Sequence, residues 1–166
     1  FRAWGVPPDT FTFLLRYNLA PWLEKINADL GFAPRFTAVV LGHNLKNLAG
    51  KTPALAGFKY QRLYDLFAFV HEQKLDKEII KAMLPVLFRH PNMDFQSILT
   101  TLEFKRLGRE EILAPLPILK EKFKKFATSR DPAAASRWIA GHLRKLALGN
   151  LPMREVTAQL AGGKRS

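Results

Sequence analysis

Apolar residues recur along this chain at three- and four-residue spacing, without alternating runs of useful strand length or Asn-Gly hairpin signals. The pattern predicts an all-α protein. Pro21 and Pro34 stand where first-turn prolines belong, starting helices near 21–30 and 34–48, with Gly31 and Gly50 in the positions of C-terminal caps. Between Lys59 and Gln73, Leu63, Leu66, Phe67 and Val70 keep helical spacing. Asp76 is read as the N-cap of a helix holding Ile79, Ile80, Met83, Leu84 and Leu87. Pro85 should kink that helix, and Arg89-His90-Pro91-Asn92 should stop it. The apolar faces are wide, as in a compact bundle rather than a two-stranded coil.

Beyond Met93, Asp94 to Leu102 reads as a short helix, and Arg109-Glu110-Glu111 opens the next pattern with carboxylates at its positive end. Pro115 and Pro117 confine the continuous part of that pattern to about Leu116 to Ala127, with Leu119, Phe123 and Phe126 inward. Asp131-Pro132 supplies a cap and a first-turn proline for a further helix that ends at Gly149. At about 100° per residue, Ala135, Ile139, His142, Leu143 and Leu146 share one side of this helix, with Trp138 at its edge. That side should be core, which makes His142 a core or interface histidine. Arg137, Gly141, Arg144 and Lys145 fall on the opposite side. The expected organisation is two consecutive small helical bundles, one over residues 1–105 and a three-helix tail over residues 106–166.

The 166 residues are 48% hydrophobic, enough for a real core and well above the disordered regime. No apolar run approaches about 18 residues without charge, and the N-terminal order of residues is not that of a signal peptide, so a soluble chain is expected. The absence of cysteine excludes disulfides and thiolate metal sites and is compatible with a reducing cytosol. The chain starts at Phe1 without methionine and is read as a fragment of a longer polypeptide. Net charge is +12, with +5 up to Met93 and +7 in the shorter remainder. Such a balance favours polyanions, either nucleic acid or an anionic membrane surface.

No catalytic apparatus is visible. His43, His71, His90 and His142 lie on separate segments without a paired acid or second histidine at ligand spacing, so no metal site is expected. Ser97, Ser129, Ser136 and Ser166 lack a nucleophile-elbow frame, and Gly50-Lys51-Thr52 lacks the first glycine of a phosphate-binding loop. Trp4, Trp22 and Trp138 fall among apolar neighbours at helical spacing and are read as structural rather than as base-stacking platforms. Lys120, Lys122, Lys124 and Lys125 are distributed around one helix and read as a solvated face, while Lys164 and Arg165 sit near the C-terminus. Arg137, Arg144 and Lys145 are more focused. Between them lies Gly141, which costs about 1 kcal/mol against alanine in a helix interior and so calls for a packing or binding reason.

The run GHLRKLALGNLPMREV, from Gly141 to Val156, resembles the end of the YqeY-like tail shared by the GatB and GatE subunits of tRNA-dependent amidotransferases. Gly141 and Lys145 match the first glycine and the lysine of that ending, Gly149 its second glycine, and Arg154 and Val156 its final basic and apolar positions. Ala140 and Arg144 replace the usual methionines, and Pro152 stands where aspartate is frequent. FRAWGVPPDTFTFLL resembles the entry into the helical domain of those subunits, and PRFTAVVLGHNLKNLAGK a recurrent helix of that domain. The resemblance implies a helical bundle followed by a YqeY-like tail that holds tRNA, with Gly141, Lys145 and Arg154 at matched positions, and the basic side of the same helix adds Arg137 and Arg144 as candidate tRNA contacts. It implies a non-catalytic region, with no cofactor of its own, of a cytoplasmic carbon–nitrogen ligase that converts Glu-tRNA(Gln) to Gln-tRNA(Gln). It also implies ATP and magnesium in another domain and an ammonia-producing amidase subunit as partner. Two other classes stay open: a protein-interaction scaffold whose basic side meets an acidic partner or neighbouring domain, and, ranked last, an anionic-membrane contact.

Overall fold

The computed structural model describes residues 5–51, 58–127 and 131–162, and every regular element among them is a helix. Thr52, Ser129, Trp4, Lys164, Arg165 and Ser166 lie outside the described residues. The chain divides into two compact units, Phe1–Leu102 and Glu103–Ser166, against the expected division after Lys105.

In the first unit, α1 (Pro8–Arg16) and α2 (Ala20–Leu30) precede α3 (Pro34–Ala38), which passes through a π-helical turn, Val39–Asn44, into α4 (Leu45–Lys51). The unit is completed by α5 (Gln61–Glu72), α6 (Ile79–Arg89) and α7 (Phe95–Thr101). Prolines open α1, α2 and α3, where the missing N–H leaves no helical acceptor unmatched. Leu14, Leu23, Ile26, Leu41, Leu45, Leu63, Phe67 and Met83 are among the fully buried side chains, each apolar burial contributing ~1.5–3 kcal/mol.

Gly31 caps α2 in the left-handed conformation, with φ +72° and its N–H donating to the Asn27 carbonyl. Gly50 does not act as a cap. It lies inside α4, whose described span continues to Lys51. The expected start at Asp76 is also displaced. Asp76 Oδ2 accepts the Glu78 N–H at 3.3 Å and its carbonyl accepts the Ile79 N–H at 3.2 Å, so Asp76 holds a turn that leads into α6. Pro85 is inside α6 and leaves the Lys81 carbonyl without its helical donor. Asp94 caps α7 by accepting the Ser97 N–H at 2.8 Å.

The second unit contains α8 (Arg109–Leu113), α9 (Leu116–Phe126), α10 (Pro132–Ala147) and α11 (Met153–Gly162). α10 packs against the other three. Ile112, Leu119, Ile139, Leu143, Ala147, Leu151, Val156 and Leu160 form the buried cluster between them. After α10 the chain turns through Gly149 at φ +79°, a conformation that L side chains rarely adopt, and the Leu151 N–H returns to the Ala147 carbonyl at 2.8 Å. Among the described residues no helix is long and apolar enough to cross a membrane.

Candidate nucleic-acid interface

The sequence that fixes α10 also fixes what it displays. Asp131 accepts the Ala133 N–H at 2.9 Å, and Pro132 sets the first turn. With Ile139, Leu143 and Ala147 turned into the cluster, the 3.6-residue period sends Arg137, Gly141, Arg144 and Lys145 outward, and all four are exposed. Arg154 is exposed as well, but it stands in the first turn of α11. No hydrogen bond or ion pair among the described residues joins Arg154 to the α10 face.

Gly141 is the distinguishing element of that face. A Cβ placed on it meets nothing within 4 Å, so no close approach among the described residues accounts for a glycine in the middle of a sixteen-residue helix. Two of its basic neighbours already hold carboxylates. Arg137 Nη2 donates to Asp131 Oδ2 at 2.7 Å, and Lys145 Nζ donates to Glu103 Oε2 at 2.9 Å. Arg144 and Arg154 form no ion pair among the described residues.

Glu103 was not distinguished by its sequence position. Its backbone is left-handed at φ +56°, and the hydrogen bond and charge of Lys145 hold its carboxyl below the usual carboxylate range. Glu103, Lys105, Leu107, Lys145 and Leu146 line a pocket of about 450 Å³. The Asn150 amide positions one wall of it. Asn150 Nδ2 donates to the Lys105 carbonyl at 2.8 Å and to the Leu146 carbonyl at 3.0 Å, while Oδ1 accepts the Leu107 N–H at 3.0 Å. One side chain thus pins the non-helical segment carrying Lys105 alongside the C-terminal turn of α10.

Two expectations for this unit are corrected. His142, expected in the core or at an interface, is exposed and so is not core; its Nδ1 lies 3.0 Å from the Trp138 carbonyl and its ring 4.0 Å from the Trp138 ring. It belongs at the margin of the apolar stripe, and the partner helices cover only the centre of that stripe. Phe126, expected inward, is 55% exposed, because it is the last residue of α9 and overhangs the cluster that Leu119 enters. Trp138 is half-buried and packs on the cluster from its edge. Around α9, Lys122, Lys124 and Lys125 are exposed, Lys120 is half-buried, and Lys124 pairs with Glu121 at 3.3 Å.

No three His, Asp or Glu side chains converge as a metal site among the described residues. Compared with known proteins, the chain matches no family model, no curated protein and no solved structure. The likeness to GatB and GatE therefore rests on the quoted residues alone.

Proposed function

We propose that the chain is the tRNA-holding C-terminal region of a GatB/GatE-like amidotransferase subunit. In this reading the exposed α10 face meets phosphate and ribose, with the backbone at Gly141 permitting close approach. RNA is held by shape and charge, with little reading of base edges. The observation that carries the reading is Gly141 itself: exposed, mid-helix, unexplained by packing among the described residues, and flanked by Arg137, Arg144 and Lys145. The match of Gly141, Lys145, Gly149, Arg154 and Val156 to the YqeY-like ending supports the same assignment.

The region acts by positioning. Transamidation, with ATP and magnesium, belongs to another domain of the subunit, ammonia comes from an amidase partner, and the assembly works in the cytoplasm. The ion pairs of Arg137 and Lys145 also show this face engaging carboxylates, which is the observation favouring an acidic protein partner as the second reading.

A titration of the chain with tRNA, duplex DNA and acidic vesicles tests the assignment. Tight preference for tRNA is expected. With about three to four phosphates neutralised, affinity should fall about fiftyfold to a hundredfold between 50 and 200 mM salt. The double variant Arg144→Ala/Lys145→Ala should weaken that binding and keep its helicity and melting temperature. A flat salt response, or equal binding to all three polyanions, would overturn the reading.

A further inference from the structure

Beside the basic face, the second unit leaves an aromatic surface uncovered. The rings of Phe123 and Phe126, from α9, lie 5.8 and 5.1 Å from the Trp138 ring on α10, and His142 extends the group by contact with Trp138 at 4.0 Å. The outer members, Phe126 and His142, are exposed to solvent. Helical geometry places cations around this surface. Lys122 precedes Phe126 by one turn on α9, and Arg137 and Lys145 lie one turn to either side of Gly141 on α10. Gly141 is three residues beyond Trp138 and carries no side chain, so the ground between the tryptophan and the basic stripe is low.

Rings framed by cations suit an aromatic ligand that carries negative charge on both sides, and this is the chemistry of a nucleotide within a strand. Resting on the RNA reading given above, we infer that the surface formed by Phe126, Trp138 and His142 stacks an unpaired nucleobase. Lys122, Arg137 and Lys145 then meet the flanking phosphates. Base–aromatic stacking is tolerant of sequence because every base has a π-face, so the contact adds affinity without base-edge recognition. It also separates RNA from other polyanions: a polyphosphate satisfies the cations and leaves the rings wet.

The test uses the 166-residue chain and four probes: tRNA, a single-stranded oligoribonucleotide, the same oligomer with abasic riboses, and inorganic polyphosphate. Phe126→Ala should bind the oligoribonucleotide about tenfold more weakly, the size of one lost base–aromatic stack, and bind the abasic oligomer and polyphosphate as the parent does. Phe126→Tyr, which keeps the ring, should retain parental affinity, and Phe126→Leu, apolar without a π-face, should behave as alanine. Equal affinity of parent and Phe126→Ala for the oligoribonucleotide overturns the stacking site and leaves the RNA reading standing. A loss by Phe126→Ala that is the same for polyphosphate overturns it too, since the effect would not depend on a base. A parent that binds tRNA but not the oligoribonucleotide overturns the stacking site alone, and failure to bind either RNA removes both inferences together.

Discussion

Lys145 and Glu103 form an ion pair of 2.9 Å between α10 and the non-helical start of the second unit, with side chains 73% and 75% exposed. The pair sits at the mouth of the pocket lined by Lys105 and Leu107, and it occupies a cation that the proposed interface requires. In the proposed reading, RNA competes with Glu103 for Lys145.

Glu103→Gln should therefore tighten RNA binding by about two- to fivefold, the span set by exposed ion pairs. The salt dependence should steepen by at most one further phosphate contact. The pH behaviour follows from the direction in which the carboxyl is displaced. Lys145 holds it below the ordinary glutamate value, so the pair is intact above that value and is lost as pH falls through the lowered one. The advantage of Glu103→Gln should thus be unchanged between about pH 8 and pH 5 and disappear only in stronger acid. Titration of RNA affinity across this range checks it, and an advantage that fades between pH 7 and 6 would implicate another group.

At Gly141 stability and the proposed binding make opposite demands on a side chain. A methyl group there meets nothing within 4 Å, so Gly141→Ala should stabilise the chain by about 1 kcal/mol through helix propensity alone. Denaturant unfolding of the parent and variant measures this. Gly141→Leu should keep most of that gain and yet bind RNA more weakly than the parent. A stability loss in either variant would assign the glycine to packing instead.

Much of the helix order was legible because its punctuation is local. Pro21, Pro34, Asp94 and Asp131-Pro132 mark starts, and Gly31 and Gly149 adopt the positive φ that their positions imply. The α10 basic face was legible for the same reason, since a fixed angle per residue assigns Arg137, Gly141, Arg144 and Lys145 to one side. That angle does not say how far the partner helices reach, which is why His142 and Phe126 fall outside the core. The π turn at Val39–Asn44 left no mark in the hydrophobic spacing, and Gly50, assigned to a cap by its residue type and place, is followed by a further helical residue. Glu103 and Asn150 were hidden for another reason: the partners that give them their roles, Lys145 for Glu103 and Lys105 and Leu107 for Asn150, lie more than forty residues away, beyond any periodicity.

The Asn150 amide gives a third expectation. It satisfies two carbonyls and one N–H, and alanine would leave all three to find other partners. Asn150→Ala should cost about 1–3 kcal/mol, because the groups it abandons are partly withdrawn from water. Asn150→Asp can still accept from Leu107 but cannot donate to the Lys105 and Leu146 carbonyls, so it should recover only part of the loss. Hydrogen exchange at the Leu107 amide is the direct readout. Exchange should accelerate strongly in Asn150→Ala and less in Asn150→Asp, and unchanged protection would show that the clamp is dispensable.

In the first unit, Gly42 lies in the π turn beneath Thr10 of α1. A Cβ at position 42 would overlap Thr10 Cγ2 and come within 3.5 Å of Thr10 Cβ, so the two helices meet at a distance that only glycine permits. Gly42→Ala should destabilise the chain by about 1–3 kcal/mol through overpacking. Thr10 Oγ1 is itself buried without a hydrogen-bond partner among the described residues, so the threonine is held there by its shape. Thr10→Val keeps that shape without the hydroxyl and should raise stability by about 1 kcal/mol. Thr10→Ser removes the clashing methyl and should rescue Gly42→Ala, giving a coupling of roughly 0.5–3 kcal/mol in a double-mutant cycle. Chemical denaturation of the four proteins of that cycle decides it: additive effects would mean that α1 moves away as a whole and that no contact between these two side chains sets the approach.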